Sequence, residues 1–461
     1  MPKRIDFTRI GVLKLLCFAA AAALLLPLPI MEYVGEESYY TLSVIEMWIS
    51  GDYWHHLIFG VVWPKTPMFH WFILAICHVI GIEHVDIAAR LVSVFASWGA
   101  ALVAALFARH VFPQHAHVGW LAALIYLTMG EIAFWYGWLG YADATFGAFV
   151  FASIATLWLA LERQHMGWFL LSLLFVSCAY MTKNISAYAL FALAGMVLLI
   201  RFKRWKLLLH PLFVVAGVLA LSIPWLYQYY FSQTGSNALL AVGDGLRNFS
   251  GHDFMAYLKH WISYPAIFIF RALPLSLLFL WLWLGKKQHF RIDGSLLTLC
   301  WILLACLLPF WLSAAGSPRY LVPLYGLVAL LLTGLLLQLD KKMFRMAMIS
   351  MLVILVVKIP YSFAVLPYIK DWRADRSLKA VVVDVLDKTR DKPVYTRNDT
   401  AAGLSIAAYM NVRLPLEQHI RWDNTDKHGI FIMAEAPDAD IGELVKDYPI
   451  RGRHLYLYWR P

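Results

Sequence analysis

The chain has 461 residues, of which 61% are hydrophobic and only 15% charged, and its mean hydropathy is +0.64. Soluble globular domains are nearer half apolar and a quarter charged, so this composition excludes an ordinary soluble enzyme and predicts a protein whose main solvent is lipid. The net charge of +10 would suit a nucleic-acid binder. However, the basic residues lie in short loops between apolar runs, as in membrane proteins, so nucleic acid is excluded as a partner.

Long apolar runs follow one another along most of the chain. The first run comes after four basic residues but lacks a small-residue cleavage pattern, which favours an uncleaved first helix over a signal peptide. The runs predict about eleven helices, each roughly long enough to cross ~30 Å of hydrocarbon. They lie near 10–31, 86–108, 117–135, 143–161, 166–182, 185–200, 207–226, 264–284, 294–313, 319–338 and 343–365.

The charges of the connecting loops predict the orientation of these helices. The basic loops all fall on one side, which the positive-inside rule assigns to the cytoplasm of a bacterial inner (plasma) membrane. The N-terminus is then cytoplasmic and the C-terminus periplasmic. The apolar stretch 67–82 would reverse this order if it spanned, but it is short and holds two histidines. We therefore predict that it lies at the interface, within a first outer loop of residues 32–85.

The composition changes after about residue 366, where charged residues become frequent. The fold class predicted is an all-α polytopic membrane protein, residues 1–365, with a small C-terminal α/β extramembrane domain, residues 366–461. In this domain, Ser377–Arg390 and Ile441–Tyr448 are predicted as helices. Strands are predicted at Pro393–Arg397, Gly429–Ala434 and His454–Trp459. No Walker or dinucleotide fingerprint is present, which argues against ATP-driven work.

Two adjacent carboxylates, Glu36 and Glu37, follow the first helix on the outer side. Such a pair is self-repelling, so one member is a candidate base for an acceptor hydroxyl or amine. Alternatively, both are acidic residues in the first turn of a helix over 38–50, where the helix dipole stabilises them. The sequence leaves both interpretations open.

Several cations and one further acid lie on the same predicted side. Lys65, between two prolines, suits a lipid phosphate or is a snorkelling interfacial lysine. Asp143 begins a helix, where it caps that helix, binds an acceptor or orients Lys65. Lys183 lies in a tight turn, and Arg319 and Tyr320 lie at the outer end of a predicted helix.

Two arginines fall inside predicted helices. Bare charge is expensive at membrane depth, so Arg90 and Arg271 each require a carboxylate or phosphate partner. Two acidic sites and several cations at one membrane face suit an anionic lipid carrier and a reaction that needs a base.

These motifs resemble those of GT-C type membrane glycosyltransferases, in the group of the lipid A aminoarabinose transferase and the protein O-mannosyltransferases. The resemblance covers roughly residues 10–330. It departs at Glu36-Glu37, where the group usually has Asp-Glu, and at Thr66, where the group has proline. The motifs that carry it are Glu36-Glu37, Ser50-Gly51-Asp52, Lys65-Thr66-Pro67, Ala89-Arg90-Leu91, Asp143, Thr182-Lys183, Pro224-Trp225 and Arg319-Tyr320-Leu321.

The resemblance implies an inverting sugar transfer from a polyprenyl-phosphate donor to a lipid, glycan or protein acceptor. Glu36 would be the base, Glu37 its neighbour in the acceptor site and Asp143 the second acid, while Lys65, Lys183 and Arg319 would contact the donor phosphate. Arg90, Arg271 and Tyr320 are further candidates. A divalent metal is used by some members, but no metal ligands are assigned, and we expect a monomer.

Two rival functions use the same lipids. A transporter or flippase of lipid-linked sugars would favour broken helices and inverted repeats, which the sequence does not indicate. A glycan polymerase or ligase would release polyprenyl diphosphate rather than monophosphate. Lipid A, core oligosaccharide, a cell-wall glycan and protein are all open as acceptors.

Overall fold

A computed structural model describes residues 10–62, 66–206, 210–231, 254–285, 290–313, 317–371, 377–390, 392–397, 401–423, 427–437, 440–450 and 453–461. The described chain is mostly helical and ends in a small sheet-containing domain, which confirms the predicted fold class. The helices that precede this domain are α1 (Ile10–Ala23), α2 (Glu37–Ser50), α3 (Met68–Ile80), α4 (Val85–Val111), α5 (Val118–Thr128), α6 (Ala142–Arg163), α7 (Met166–Thr182), α8 (Ser186–Phe202), α9 (Pro211–Phe231), α10 (Phe254–Arg271), α11 (Leu275–Leu284), α12 (Gly294–Leu312), α13 (Tyr325–Leu336), α14 (Lys341–Pro360) and α15 (Leu366–Asp371).

Every predicted apolar run overlaps at least one of these helices, and the stretch 67–82 includes α3. In the described ranges, five helical segments are long and apolar enough to cross a bilayer, or six if the bent pair α10 and α11 forms one span. The remaining apolar helices are shorter. The predicted count of about eleven spans therefore stays a prediction, whereas the helical, multi-pass character does not depend on it. The five segments are Ile82–Val111, Ala142–Arg163, Gly294–Leu312, Pro318–Leu336 and Lys341–Tyr368.

One predicted span is broken. The run 264–284, predicted as a single helix, forms α10 and α11, which are bent by 115°. Pro274 stands directly before α11 and has no N–H to continue the preceding helix, so the helix ends there. The Leu273 carbonyl accepts a hydrogen bond from Gly130 N at 2.8 Å instead. The bend thus places the end of α10 against the loop that follows α5.

The helical bundle has two chemically distinct ends, and α6 connects them. At its C-terminal end, His110 contacts Glu162 at 2.5 Å and Arg163 at 3.1 Å, so two of the predicted inner loops lie together. Asp143 lies in its first turn. A helix of 22 residues is roughly 33 Å long, so the acidic candidate and the basic loops lie on opposite sides of the bundle.

The C-terminal domain is a five-stranded sheet with two helices, α16 (Leu378–Thr389) and α17 (Ala401–Asn411). A short hairpin, β1 (Leu57–Ile58) and β2 (Val61–Val62), lies in the first outer loop. The domain's strands are β3 (Val394–Thr396), β4 (Arg421–Trp422), β5 (Ile430–Ala434), β6 (Glu443–Ile450) and β7 (Arg453–Arg460). Their order in the sheet is β4-β3-β5-β7-β6, in which β3 pairs in parallel with β4 and β5, and β7 pairs antiparallel with β5 and β6.

The prediction of a helix at Ile441–Tyr448 is wrong, because this segment contributes to the edge strand β6. Its buried residues are Tyr448 and Ile450, which are two positions apart, as on one face of a strand. The pairing with β7 satisfies its backbone, and tertiary context overrides a weak helical pattern. Helix α17 was not predicted at all.

The C-terminal domain and the first outer loop share one hydrophobic core. Leu42 and Ile45 of α2 and Phe69 of α3 pack in the same buried cluster as Val382 of α16 and Ala407 of α17. The extramembrane part is therefore built from two distant pieces of chain. Its two pieces bury apolar surface that neither covers alone.

Candidate active site

Glu36 and Arg319 form an ion pair at the end of the bundle opposite to the basic loops. Arg319 lies on a 3-10 turn, Pro318–Leu324, and its Nη1 donates to Glu36 Oε2 at 2.7 Å. The Glu36 side chain is 55% exposed, whereas that of Arg319 is 26% exposed. An exposed carboxylate with one cationic partner keeps free lone pairs toward solvent. This is the geometry that a proton acceptor needs.

The backbone around Glu36 is held by a tyrosine. Tyr141 Oη accepts from Glu36 N at 2.8 Å and donates to Val34 O at 3.2 Å. Gly35 lies in the left-handed region (φ +56), and a Cβ there would meet Tyr141 Oη at 2.3 Å. Only glycine fits this approach without strain. The turn that presents Glu36 therefore depends on residues from two separate segments.

Glu37 has a different environment from its neighbour. Its side chain is 1% exposed, and that of Arg90 is fully buried. Arg90 donates to both carboxylate oxygens, at 2.9 Å from Nε and 2.7 Å from Nη2. Val34 N and Gly140 N also donate to them, each at 2.7 Å. Each oxygen of Glu37 thus accepts two hydrogen bonds, which is what a buried charge requires.

Arg90 uses its remaining donors on the backbone that follows α1. Nη1 donates to Leu28 O at 3.0 Å and to Met31 O at 2.6 Å, and Nη2 donates to Glu32 O at 2.9 Å. The guanidinium is therefore fully hydrogen-bonded. The carboxylate partner expected for this intramembrane arginine is Glu37, and together they fix the start of the first outer loop.

A second acid–base pair lies beside the first. Lys183 Nζ contacts Asp143 Oδ1 at 2.5 Å, and it lies 5.0 Å from the centroid of the Tyr320 ring. The Arg319 guanidinium lies 5.6 Å from the same ring. Tyr320 thus connects the two pairs through cation–π contacts. The second oxygen of Asp143, Oδ2, is buried and accepts no hydrogen bond from a described residue.

Tyr40 lies half-buried beside this cluster. Burial raises the pKa of Tyr40 well above its usual range, the negative charge of Asp143 raises it further, and Arg319 opposes the shift. Tyr40 therefore stays a neutral phenol at any physiological pH. Tyr40 follows the Glu36-Glu37 motif in the sequence, but the motif alone assigned it no role.

Arg271 finds its partner at the bend between α10 and α11. It forms an ion pair with Glu131, which lies in the loop after α5. Sequence reasoning missed Glu131, although a carboxylate at the end of the apolar run 117–135 was a usable signal. Lys65, by contrast, lies outside the described residues.

Potential metal ligands do not gather in the described part of the chain. No group of three or more His, Cys, Asp and Glu side chains is close enough there to hold an ion. The divalent metal that the resemblance allowed thus has no protein ligand set among these residues.

Comparison with known proteins gives a family similarity over part of the chain and a similarity in fold over nearly all of it. Residues 64–227 match the model of the family described as dolichyl-phosphate-mannose-protein mannosyltransferase. None of the curated proteins matches the chain significantly.

In fold, the chain is similar to ArnT from Cupriavidus metallidurans. The structure of that protein bound to undecaprenyl phosphate matches with a TM-score of 0.73 at 16% identity, over 97% of this chain and 98% of ArnT. Its apo structure matches with a TM-score of 0.71 at 16% identity, over 96% and 97%. The match extends over nearly the whole length of both chains, so it includes the C-terminal domain that carried no sequence motif.

Proposed function

We propose that the chain transfers a sugar, with inversion, from a polyprenyl-phosphate donor to a lipid, glycan or protein acceptor at the periplasmic face of a bacterial inner membrane. The observation that carries this proposal is the cluster in which Tyr320 joins Glu36–Arg319 to Asp143–Lys183 at one end of the bundle. The fold shared with ArnT, whose structure holds undecaprenyl phosphate, supports a carrier of this kind.

Glu36 is the base in this proposal. Its exposed carboxylate takes the proton of the acceptor nucleophile as that atom bonds to the anomeric carbon of the donor. Attack from the face opposite the phosphate inverts the configuration. The bond between the sugar and the phosphate oxygen breaks, and its electron pair stays on polyprenyl monophosphate. Arg319 donates to Glu36 Oε2 at 2.7 Å and so fixes the direction of the carboxylate.

The cations stabilise the leaving phosphate. Lys183 and Arg319 both lie against the ring of Tyr320, and fixed positive charge at the site where negative charge develops lowers the barrier. Lys65 is proposed for the same role. The unused Oδ2 of Asp143 is an acceptor for a hydroxyl of sugar or acceptor. Glu37, fully hydrogen-bonded and buried, then supports the site rather than reacting.

The periplasmic assignment rests on charge. The basic loops lie at the end of the bundle opposite to the cluster, and basic loops favour the cytoplasm. The variants Tyr53→Cys and Gln338→Cys, each in a background without the native cysteines, test the side of the membrane. Intact cells are treated with an impermeant thiol reagent. We expect labelling at position 53 and none at position 338.

A lipid-linked sugar flippase is a second candidate function. The 115° bend between α10 and α11 favours it, since broken helices are common in transporters. Such a protein would move the carrier lipid without breaking the sugar–phosphate bond.

The deciding experiment supplies purified protein in detergent with a panel of polyprenyl-phosphate sugars and a membrane-lipid extract, and measures the masses of both products. We expect a glycosylated acceptor and polyprenyl monophosphate. Glu36→Gln should lose at least roughly a hundredfold of the rate. Glu83→Gln, an exposed carboxylate of the same outer loop, is the matched control and should keep it.

Release of polyprenyl diphosphate would instead identify a polymerase or ligase. Carrier binding without consumption of any donor would make the flippase the better function.

A further inference from the structure

The segment that carries Glu36 is tied to the C-terminal domain by hydrogen bonds at three of its residues, Glu32, Tyr33 and Ser38. Glu32 Oε2 accepts from Leu378 N, at the start of α16, at 2.7 Å. Tyr33 N donates to Tyr409 Oη at 3.2 Å. Ser405 Oγ donates to Ser38 Oγ at 3.0 Å. These contacts are made before and after position 36, by parts of the chain more than 340 residues away in sequence.

The interacting groups are buried, so they cannot exchange these partners for water. Glu32 is 3% exposed, and Ser38 and Ser405 are fully buried. A buried carboxylate depends on its donors, and the first N–H groups of α16 provide them at the positive end of that helix. The rings of Tyr33 and Tyr409 also pack against each other, with centroids 4.4 Å apart and planes tilted by 35°. Loss of either partner would leave a buried polar group unsatisfied.

The same segment is held from the membrane side by α4. Arg90 binds Glu37 and the carbonyls of Met31 and Glu32, as described above. Between the two attachments, the chain includes Gly35 in a left-handed turn and has no regular structure until α2 begins. The position of the Glu36 carboxylate is therefore determined by the hydrogen bonds that the C-terminal domain and Arg90 make to this segment.

We propose that the C-terminal domain is a positioning element of the active site, in which Ser405, Tyr409 and the N-terminus of α16 hold residues 32–38 so that Glu36 stays against Arg319. This inference rests on the proposed function, in which Glu36 is the base. It assigns a role to a domain for which the sequence offered no motif. Misplacement of a reacting group by about 1 Å can cost roughly a hundredfold in rate, so a loosened segment would slow the chemical step.

The test removes two hydroxyl groups and nothing else. We expect the double variant Ser405→Ala, Tyr409→Phe to lose about tenfold or more in kcat while the KM for the donor changes by less than about threefold, because the phosphate-binding cations are untouched. The single variant Ser405→Thr keeps both hydroxyl groups, because Tyr409 is unchanged. It should therefore keep most of the wild-type kcat. Tyr395→Phe, which loses a hydroxyl bound to Lys427 at 3.2 Å elsewhere in the domain, is the matched control.

A second readout needs no activity. Amide hydrogen exchange of residues 32–38 should be at least about tenfold faster in the double variant, with strand β5 of the same domain unchanged. Wild-type kcat together with wild-type protection of 32–38 would overturn the proposal. Faster exchange that is equal in β5 would mean general loosening of the domain and would also overturn it.

The two proposals fail differently. If Glu36→Gln keeps full activity, the assignment of the base is wrong, yet the exchange of residues 32–38 still reports whether the domain orders them. If Glu36→Gln is inactive and the double variant is unaffected in both readouts, only the positioning role is refuted.

Discussion

Arg319 Nη1 lies 2.7 Å from Glu36 Oε2, although the two residues are 283 positions apart in the chain. This pair joins the first outer loop to the turn that precedes α13. The next residue, Tyr320, extends the link to Lys183 and Asp143. The cluster thus combines side chains from four separate segments, and it forms only when the bundle is complete.

Glu36 and Glu37 should respond differently to the same substitution. Glu37→Gln breaks a buried pair and leaves Arg90 with an uncompensated charge, which typically costs about 3–5 kcal/mol. We expect a much lower thermal midpoint in detergent for Glu37→Gln and a nearly unchanged one for Glu36→Gln, the matched control. The double variant Glu37→Leu, Arg90→Met should recover part of the loss, because no unpaired charge remains. A Glu37→Gln protein as stable as wild type but inactive would place Glu37 in the chemistry instead.

The contrast between these two neighbours explains what the sequence predicts and what it does not. Apolar runs locate the helices because burial in lipid acts on composition alone. The costs of bare charge likewise predict that Arg90 and Arg271 have partners, and both do. Which of two adjacent glutamates faces solvent depends on a residue 53 positions away, and no local pattern encodes that.

Errors in the predicted elements have related causes. Strand β6 is stabilised by its pairing with β7, a long edge contact that its own sequence does not reveal. Pro274 is a sequence signal for the break after α10. The hydropathy pattern does not report it, because the run stays apolar across the proline. The attachment of the C-terminal domain to residues 32–38 rests on single hydrogen bonds, which leave no pattern in a sequence.

Lys183 should govern the affinity for the donor phosphate. Lys183→Met alone would leave Asp143 buried and unpaired, so the cleaner variant is Lys183→Met with Asp143→Asn, compared with Asp143→Asn alone. We expect the loss of Lys183 to weaken polyprenyl-phosphate binding by roughly 10- to 150-fold, since a charge-assisted phosphate contact is worth about 1.5–3 kcal/mol. Titration with the carrier lipid, followed by intrinsic fluorescence, measures it. Equal affinities of the two variants would remove Lys183 from the phosphate site.

The C-terminal domain contains a carboxylate whose contribution to stability depends on pH. Hydrogen bonds to Asp384, first from Tyr448 at 2.6 Å and then from Lys446 and Lys388, lower its pKa to about 2. A carboxyl group with a depressed pKa stabilises the fold above its unfolded pKa, and this contribution is lost as the pH falls through the folded value.

Asp384→Asn should therefore lower the thermal midpoint at pH 7. The difference in thermal midpoint between this variant and wild type should become smaller below about pH 4 and vanish near pH 2. The effect will be modest, since the side chain is 34% exposed and water screens the charges. Asp387→Asn, on the same helix, is the control. A gap of constant size across this pH range would contradict the assignment of the shift to the hydrogen bonds of Asp384.

Lys358 of α14 is a buried lysine within a segment long enough to span the membrane. It is 1% exposed, and its Nζ has no hydrogen-bond partner among the described residues. The rings of Trp138, Phe134 and Tyr361 surround it at 5.3, 5.6 and 5.6 Å. Such rings stabilise an ammonium by up to about 2 kcal/mol each, but taking it out of water costs several kcal/mol.

Lys358→Met should consequently raise the thermal midpoint, because methionine fills a similar volume and carries no charge to bury. The expected gain in the free energy of unfolding is about 1–3 kcal/mol. Lys358→Ala should lower it, since it removes the charge but leaves a cavity among the three rings. The pair of variants separates charge from packing, and thermal unfolding in one detergent measures both. Destabilisation by methionine would show that the ammonium is bound more strongly than the three rings account for, and an acceptor for it would have to exist in the folded protein.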